Sequence, residues 1–245
     1  MKFQTIGNPN DSLIIMLPGS FCPSSGLNYL YEKLKDDYCI VLVEYNGHYE
    51  NSTFTTRQNE AKEVVDYIQK QNIHTIKMIY GQSMGAEIAI ELFKQLEKTN
   101  IDVDYCFLDG ASCIKLPYLY KKFMYFKFNQ ILKMMKKTDV DQILNMKLIK
   151  KIARGNIENL RPMIEPMAVT AQFLSKESVK NETECCYTFD FPLFDKEAQN
   201  KMYFFYGKEE KAYKTCYRGV KKAYPQSNSI FKEGYGHLWT FNVFY

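Results

Sequence analysis

From Thr75 to Lys98 the sequence passes from an apolar run through a five-residue turn into a helical pattern, with no spacer between them. The turn is Gly81-Gln-Ser-Met-Gly85. A strand that becomes a helix within five residues forces the middle one, Ser83, into a strained backbone conformation. Glycine on either side lets strand and helix approach without a Cβ clash. Such a turn projects the Ser83 hydroxyl at the sheet edge, above a helix N-terminus. The plainer reading is a glycine-rich turn whose serine caps the helix. The pattern and both flanks together favour the strained turn.

The neighbouring sequence repeats the same rhythm. Residues 12–17, 38–43, 75–80 and 103–108 read as short apolar strands. Helical spacing fills 27–35, 55–71 and 86–98 between them. Such alternation predicts an α/β fold, a mostly parallel sheet with helices on both faces. The rhythm breaks at about Ser112 and resumes with a strand at 201–206, a helix at 211–223, a strand at 229–231 and a short C-terminal helix. The stretch between is helical in composition and holds six of the eleven methionines. The expected organisation is one sheet domain built from residues 1–111 and 188–245, with a helical insertion at 112–187.

A serine hydroxyl becomes a nucleophile only when a base takes its proton, and histidine is the usual base. The chain offers His48, His74 and His237. His74 precedes a strand, at the wrong end of the sheet. His48 follows the strand 38–43 and reads as a packed loop residue. His237 follows the last strand, where a loop can reach back to Ser83, and is the expected base. An acid must fix the tautomer of that base. The loop after 201–206 offers Glu209 and Glu210; Glu210 is the first choice, Glu209 the second and Asp109 the third. The oxyanion formed in acyl transfer needs aimed N–H donors. The backbone amides of Met84 and Ser20 are the candidates, with Phe21 next after Ser20.

These segments resemble the α/β-hydrolase superfamily. The matching residues are Leu17-Pro-Gly-Ser20, Glu44-Tyr-Asn-Gly-His48, Gly81-Gln-Ser-Met-Gly85, Gly207-Lys-Glu-Glu210 and Gly236-His237. They follow the family's order and cover most of the chain outside 112–187. Two departures are Pro18-Gly19, where the family often has His-Gly, and glutamate in place of the common aspartate as acid. The resemblance implies a mostly parallel eight-stranded sheet, a Ser83-Glu210-His237 triad and a cap inserted after the sixth strand. It also implies hydrolysis of an ester or thioester through an acyl-enzyme. Other bonds, acyl transfer, or a non-catalytic binding role on the same fold stay open.

Seven cysteines, an odd number with no C-x-x-C pair, argue against a disulfide framework or a metal site. Neither metal nor organic cofactor is expected. The longest apolar run near the N-terminus, Leu13 to Leu17, is too short for a signal peptide, and no run approaches the ~18 residues of a spanning helix. A cytoplasmic location is the expectation. A net charge of +4 is too mild to imply nucleic acid. It is unevenly spread, because Lys115 to Arg154 holds eleven Lys and Arg against two Asp, with aromatics interleaved. Without a recognition motif this stretch does not read as a nucleic-acid site. Its lysines are either a solvated face or a surface for anionic substrates or membranes. Its apolar residues pack on the core or line a pocket for a small-molecule acyl substrate.

Overall fold

Strand β2 (Leu13–Leu17) is buried along its whole length, as a central parallel strand covered on both faces must be. Its side chains alternate between two cores. Leu13, Ile15 and Leu17 join the larger one, with Val64 and Ile68 of α2 (Arg57–Lys70) and Ile88 and Leu92 of α3 (Met84–Leu96). Ile14 and Met16 face the opposite side and meet Leu27 and Tyr29, at the start of α1 (Asn28–Leu34). Full burial of each such side chain contributes roughly 1.5–3 kcal/mol, so a one-residue slip of β2 would exchange both cores at once.

The computed structural model describes residues 1–146, 161–210 and 213–236. Beside β2 stand β1 (Lys2–Ile6), β3 (Cys39–Glu44), β4 (Thr75–Gln82), β5 (Asp102–Asp109), β6 (Met202–Gly207) and β7 (Asn228–Lys232). They form one seven-stranded sheet in the order β1-β3-β2-β4-β5-β6-β7. Among the described residues only β1 runs antiparallel, pairing Lys2 with Glu44 and Ile6 with Ile40. Their strand count is one below the eight that the resemblance implies, with a single strand ahead of β2. That strand, β1, was not read from the sequence.

The register puts the carboxyl ends of the parallel strands at one edge. Leu17 lies opposite Gly81, Gln82 opposite Asp109, and Gly207 opposite Lys232. The loops that follow these residues therefore gather at that edge, where sites form in open α/β sheets.

Between β5 and β6 the described residues are helical: α4 (Tyr118–Lys137), α5 (Val140–Leu144), α6 (Arg161–Ala171) and α7 (Lys176–Tyr187). The segment thus follows the fifth of the seven strands. It leaves and re-enters the body side by side, where Leu116 N–H donates to Tyr187 O and Phe189 N–H to Ile114 O, both at 3.0 Å. Leu132, Met135, Ile143, Leu144, Leu174 and Val179 form its own core, into which Phe21 of the main body inserts. Short α8 (Lys196–Asn200) leads into β6, and α9 (Tyr213–Ala223) joins β6 to β7. The expected C-terminal helix lies outside the described residues. Among the described residues no helix is long and apolar enough to cross a membrane.

Candidate active site

Ser83 stands between β4 and α3 with φ 54° and ψ −116°. A serine in this region is strained by roughly 1–3 kcal/mol, so the surroundings must hold it there. Ser83 N–H donates to Asp109 O at 2.7 Å, and Ser83 O accepts from Ala86 N–H at 2.9 Å. Close packing does the rest. A Cβ on Gly85 would run into the carbonyl oxygens of Leu17 and Pro18, and one on Gly81 into Gly85 O and the Ala86 backbone. Ser83 is partly exposed while Gln82 and Met84 beside it are buried. Met84 is the first residue of α3, where amides lack an intrahelical partner and the helix dipole is positive.

The loop after β2 lies directly against this turn. A Cβ on Gly19 would be 3.5 Å from Ser83 Cβ. Cys22 N–H donates to Gly19 O at 3.2 Å, closing a tight turn. Three contacts fix the loop from outside: Tyr45 Oη–H donates to Pro18 O at 3.1 Å, Ser20 Oγ meets Cys186 Sγ at 3.1 Å, and Phe21 N–H donates to Glu182 Oε2 at 3.0 Å. The Phe21 amide is thus engaged, which leaves Ser20 as the loop's candidate oxyanion donor.

The loop after β6 carries the two candidate acids. Glu209 is exposed and Glu210 half-buried. The Glu210 carboxylate adds to the burial that holds the Tyr206 hydroxyl and the Cys216 thiol above their ordinary ranges, so its charge faces the body of the molecule. The following loop is drawn against this one. Glu209 N–H donates to Tyr235 O at 2.9 Å, and a Cβ on Gly207 would strike the carbonyl oxygens of Gly236 and Tyr235. The chain therefore passes the acid loop on its way to residue 237. His237, the expected base, lies outside the described residues. Asp109 is fully buried at the end of β5 and accepts from Tyr80 Oη–H at 3.2 Å. His74 lies just ahead of β4, at the far end of the sheet.

His48 is a packed loop residue, but a charged one. Its Nε2 is 3.0 Å from Glu182 Oε1, and its Nδ1 is 3.4 Å from Glu44 Oε1. Burial disfavours the imidazolium, but the two carboxylates outweigh it, and the His48 pKa is pushed up to about 10. Glu182 escaped the sequence reading. The available signal was its place on the buried stripe of α7, in register with Ser178, Val179 and Cys185. Arg57 also went unread. It is buried, donates to Cys185 O at 2.8 Å and Thr188 O at 3.3 Å, and lies 3.7 Å from Glu87. Among the described residues no group of three His, Cys, Asp or Glu side chains could hold a metal ion.

No protein-family model matches the sequence, and the search of curated proteins found no match. Solved structures do match over nearly the whole chain. An alpha/beta hydrolase family protein from Desulfitobacterium hafniense superposes with a TM-score of 0.74 at 17% identity, covering 98% of this chain and 94% of that one. An esterase from Exiguobacterium antarcticum gives 0.66 at 17% identity, covering 96% and 87%. Naproxen esterase (carboxylesterase NP) from Bacillus subtilis gives 0.67 at 14% identity, covering 98% and 81%. At these identities the likeness establishes the fold, and the chain has the α/β-hydrolase fold.

Proposed function

We propose that this chain of α/β-hydrolase fold is a serine hydrolase that cleaves a carboxylic ester or thioester. Ser83 attacks the carbonyl while His237 takes its proton and passes it to the leaving group. Glu210 orients His237. The amides of Met84 and Ser20 stabilise the oxyanion, and water then releases the acyl group with His237 as base. The observation that carries this reading is the strained backbone of Ser83 at the start of α3, with the Gly19 loop packed against it. The reading includes a cytoplasmic location and no cofactor.

Intact-mass labelling with a fluorophosphonate tests it. Wild type should gain one adduct and Ser83→Ala none. On an activated ester, Ser83→Ala should lower turnover by about 10⁴- to 10⁶-fold with the fold intact. A folded wild type that takes no adduct would turn the reading toward a non-catalytic binding module.

The helical segment 112–187 is read as a cap that selects a partly hydrophobic substrate, and α4 also suggests an anionic surface. Tyr118, Leu119, Tyr120, Phe123 and Phe126 are all more than half exposed. The helix holds six lysines and no acidic residue. Lys121 pairs with Glu184 at 2.7 Å, while Lys127 lies 5.6 Å from the Phe123 ring centre. Exposed apolar side chains interleaved with lysines suit a bilayer interface. A second copy docked on this face would set lysine against lysine. Co-sedimentation with phosphatidylglycerol-containing vesicles at low salt should exceed that with phosphatidylcholine alone, and Phe123→Ala/Phe126→Ala should reduce it. Equal partitioning into both vesicles removes the anionic-surface reading.

A further inference from the structure

We infer that Glu182, reaching in from helix α7, is the positioning residue of the oxyanion loop, and that it acts as one unit with His48 and Glu44. The inference rests on the serine-hydrolase reading and deepens it.

Phe21 has φ 61°, a left-handed conformation that a bulky residue adopts only where its surroundings hold it. Its N–H points at Glu182 Oε2, 3.0 Å away. Three peptide planes are fixed in succession. Tyr45 Oη holds the carbonyl of Pro18, Cys22 N–H holds that of Gly19, and Glu182 holds the amide of Phe21. The Ser20 N–H belongs to the middle plane, so its direction is set by restraints on both sides. Releasing Glu182 frees one side.

Glu182 is fully buried. An ionised carboxylate buried there without a partner would strongly destabilise the site. His48 supplies the countercharge, with Nε2–H donating to Oε1 at 3.0 Å. Behind His48, Glu44 Oε1 faces Nδ1 at 3.4 Å, while Glu44 Oε2 accepts from both the N–H and the Oγ–H of Ser24 at 2.8 Å. The relay Phe21–Glu182–His48–Glu44–Ser24 thus begins and ends on the same loop. The two carboxylates lie on opposite ring nitrogens, so no single point is shared by all three as a metal site requires. The other titratable groups that feel the two carboxylates are the Cys22 thiol, which burial and then the Glu182 and Glu44 charges push up to about 12, the buried Tyr45, whose ring lies 5.5 Å from the imidazole, the Cys185 and Cys186 thiols near Glu182 and Tyr49 near Glu44.

The test is Glu182→Gln, read as the rate of Ser83 labelling by a fluorophosphonate relative to wild type at each pH from 6 to 9. The glutamine carbonyl can serve either the Phe21 N–H or a protonated His48, but not both. Glu182→Gln removes the strongest influence holding the proton on His48 and leaves burial to lower it, so the variant imidazole becomes neutral at lower pH; its Nε2 then accepts from the glutamine amide and the carbonyl returns to Phe21. We expect a deficit of about tenfold at pH 6 that shrinks toward pH 9. Dividing by the wild-type rate at each pH cancels the titration of the base. Wild-type rates throughout, or a constant deficit matched by a smaller folded fraction in near-ultraviolet circular dichroism, would overturn the inference. If the variant does not fold, His48→Gln is read instead: slower labelling supports the relay and an unchanged rate overturns it. Absence of labelling in wild type would fail the hydrolase reading itself, whereas labelled wild type with unaffected variants fails only the relay.

Discussion

Glu209 and Glu210 are adjacent and chemically identical, so only their surroundings can separate them. The turn after β6 leaves the Glu209 side chain in solvent, with its backbone engaged by Tyr235. Glu210 is half-buried, and its charge is felt by Tyr206 and Cys216. A carboxylate facing the body can order a histidine, whereas a solvated one is averaged by its own rotamers. Glu210→Gln should therefore lower kcat/KM on an aryl ester by about 10²- to 10⁴-fold, as loss of a triad acid does. Glu209→Gln should stay within about threefold, as an exposed substitution should. Side-by-side kinetics of the two variants checks the assignment, and the reverse order would move the acid to Glu209. Charge balance sets what was legible at this scale. Ser83 was readable because its strain demands glycines at fixed offsets. Glu182 was not, because a glutamate in a polar helix has the same local sequence whether it faces solvent or His48.

At the scale of elements, the strands read most clearly were the ones with no alternative. Residues 13–17 and 39–43 are buried throughout, and a short continuous apolar run bounded by turn residues fits little else. β1 is different. None of its residues is fully buried, and it exists by pairing with β3 at the sheet edge. Tertiary pairing, rather than local propensity, makes it a strand. The helical segment was visible as a loss of rhythm, but its faces were not. α7 buries Ser178, Glu182 and Thr183 alongside Val179 and Cys185, so a hydrophobic count undervalues it. Two of these polar residues face partners in the main body: Ser178 Oγ accepts from Phe54 N–H at 3.2 Å and Glu182 from Phe21 N–H at 3.0 Å, while Arg57 reaches the carbonyl of Cys185. Through such contacts one helix links the insertion to the loop beside Ser83.

Across the whole molecule, the buried groups that titrate below the thiol range and carry large shifts, Glu60, Glu87 and His48, shift with the same sign. Burial is the largest influence on Glu60 and Glu87, and it outweighs their hydrogen bonds and, for Glu87, the Arg57 charge; they move from 4.5 to about 7 and about 8. His48 moves from 6.5 to about 10, where its carboxylates outweigh burial. Each binds its proton more tightly folded than unfolded, so stability falls as pH rises between the two values. For the carboxyls this is a penalty that grows from about pH 4.5 through 7 or 8. For His48 it is a stabilisation present in full below 6.5 and lost through about 10. The effects add, so the unfolding midpoint should decline steadily from about pH 5 toward pH 10. Scanning calorimetry at fixed ionic strength reads this directly, and a midpoint that is flat or rises with pH would contradict it. His48→Gln separates the contributions. Without the imidazole, the decline between about pH 6.5 and 9 should become shallower, while the decline due to the carboxyls from about 4.5 to 8 persists; above that the buried thiols, raised by burial from 9.0, add the same further decline in both proteins. A variant whose decline between about pH 6.5 and 9 matches wild type would show that the charge between Glu44 and Glu182 is not what the folded chain loses there.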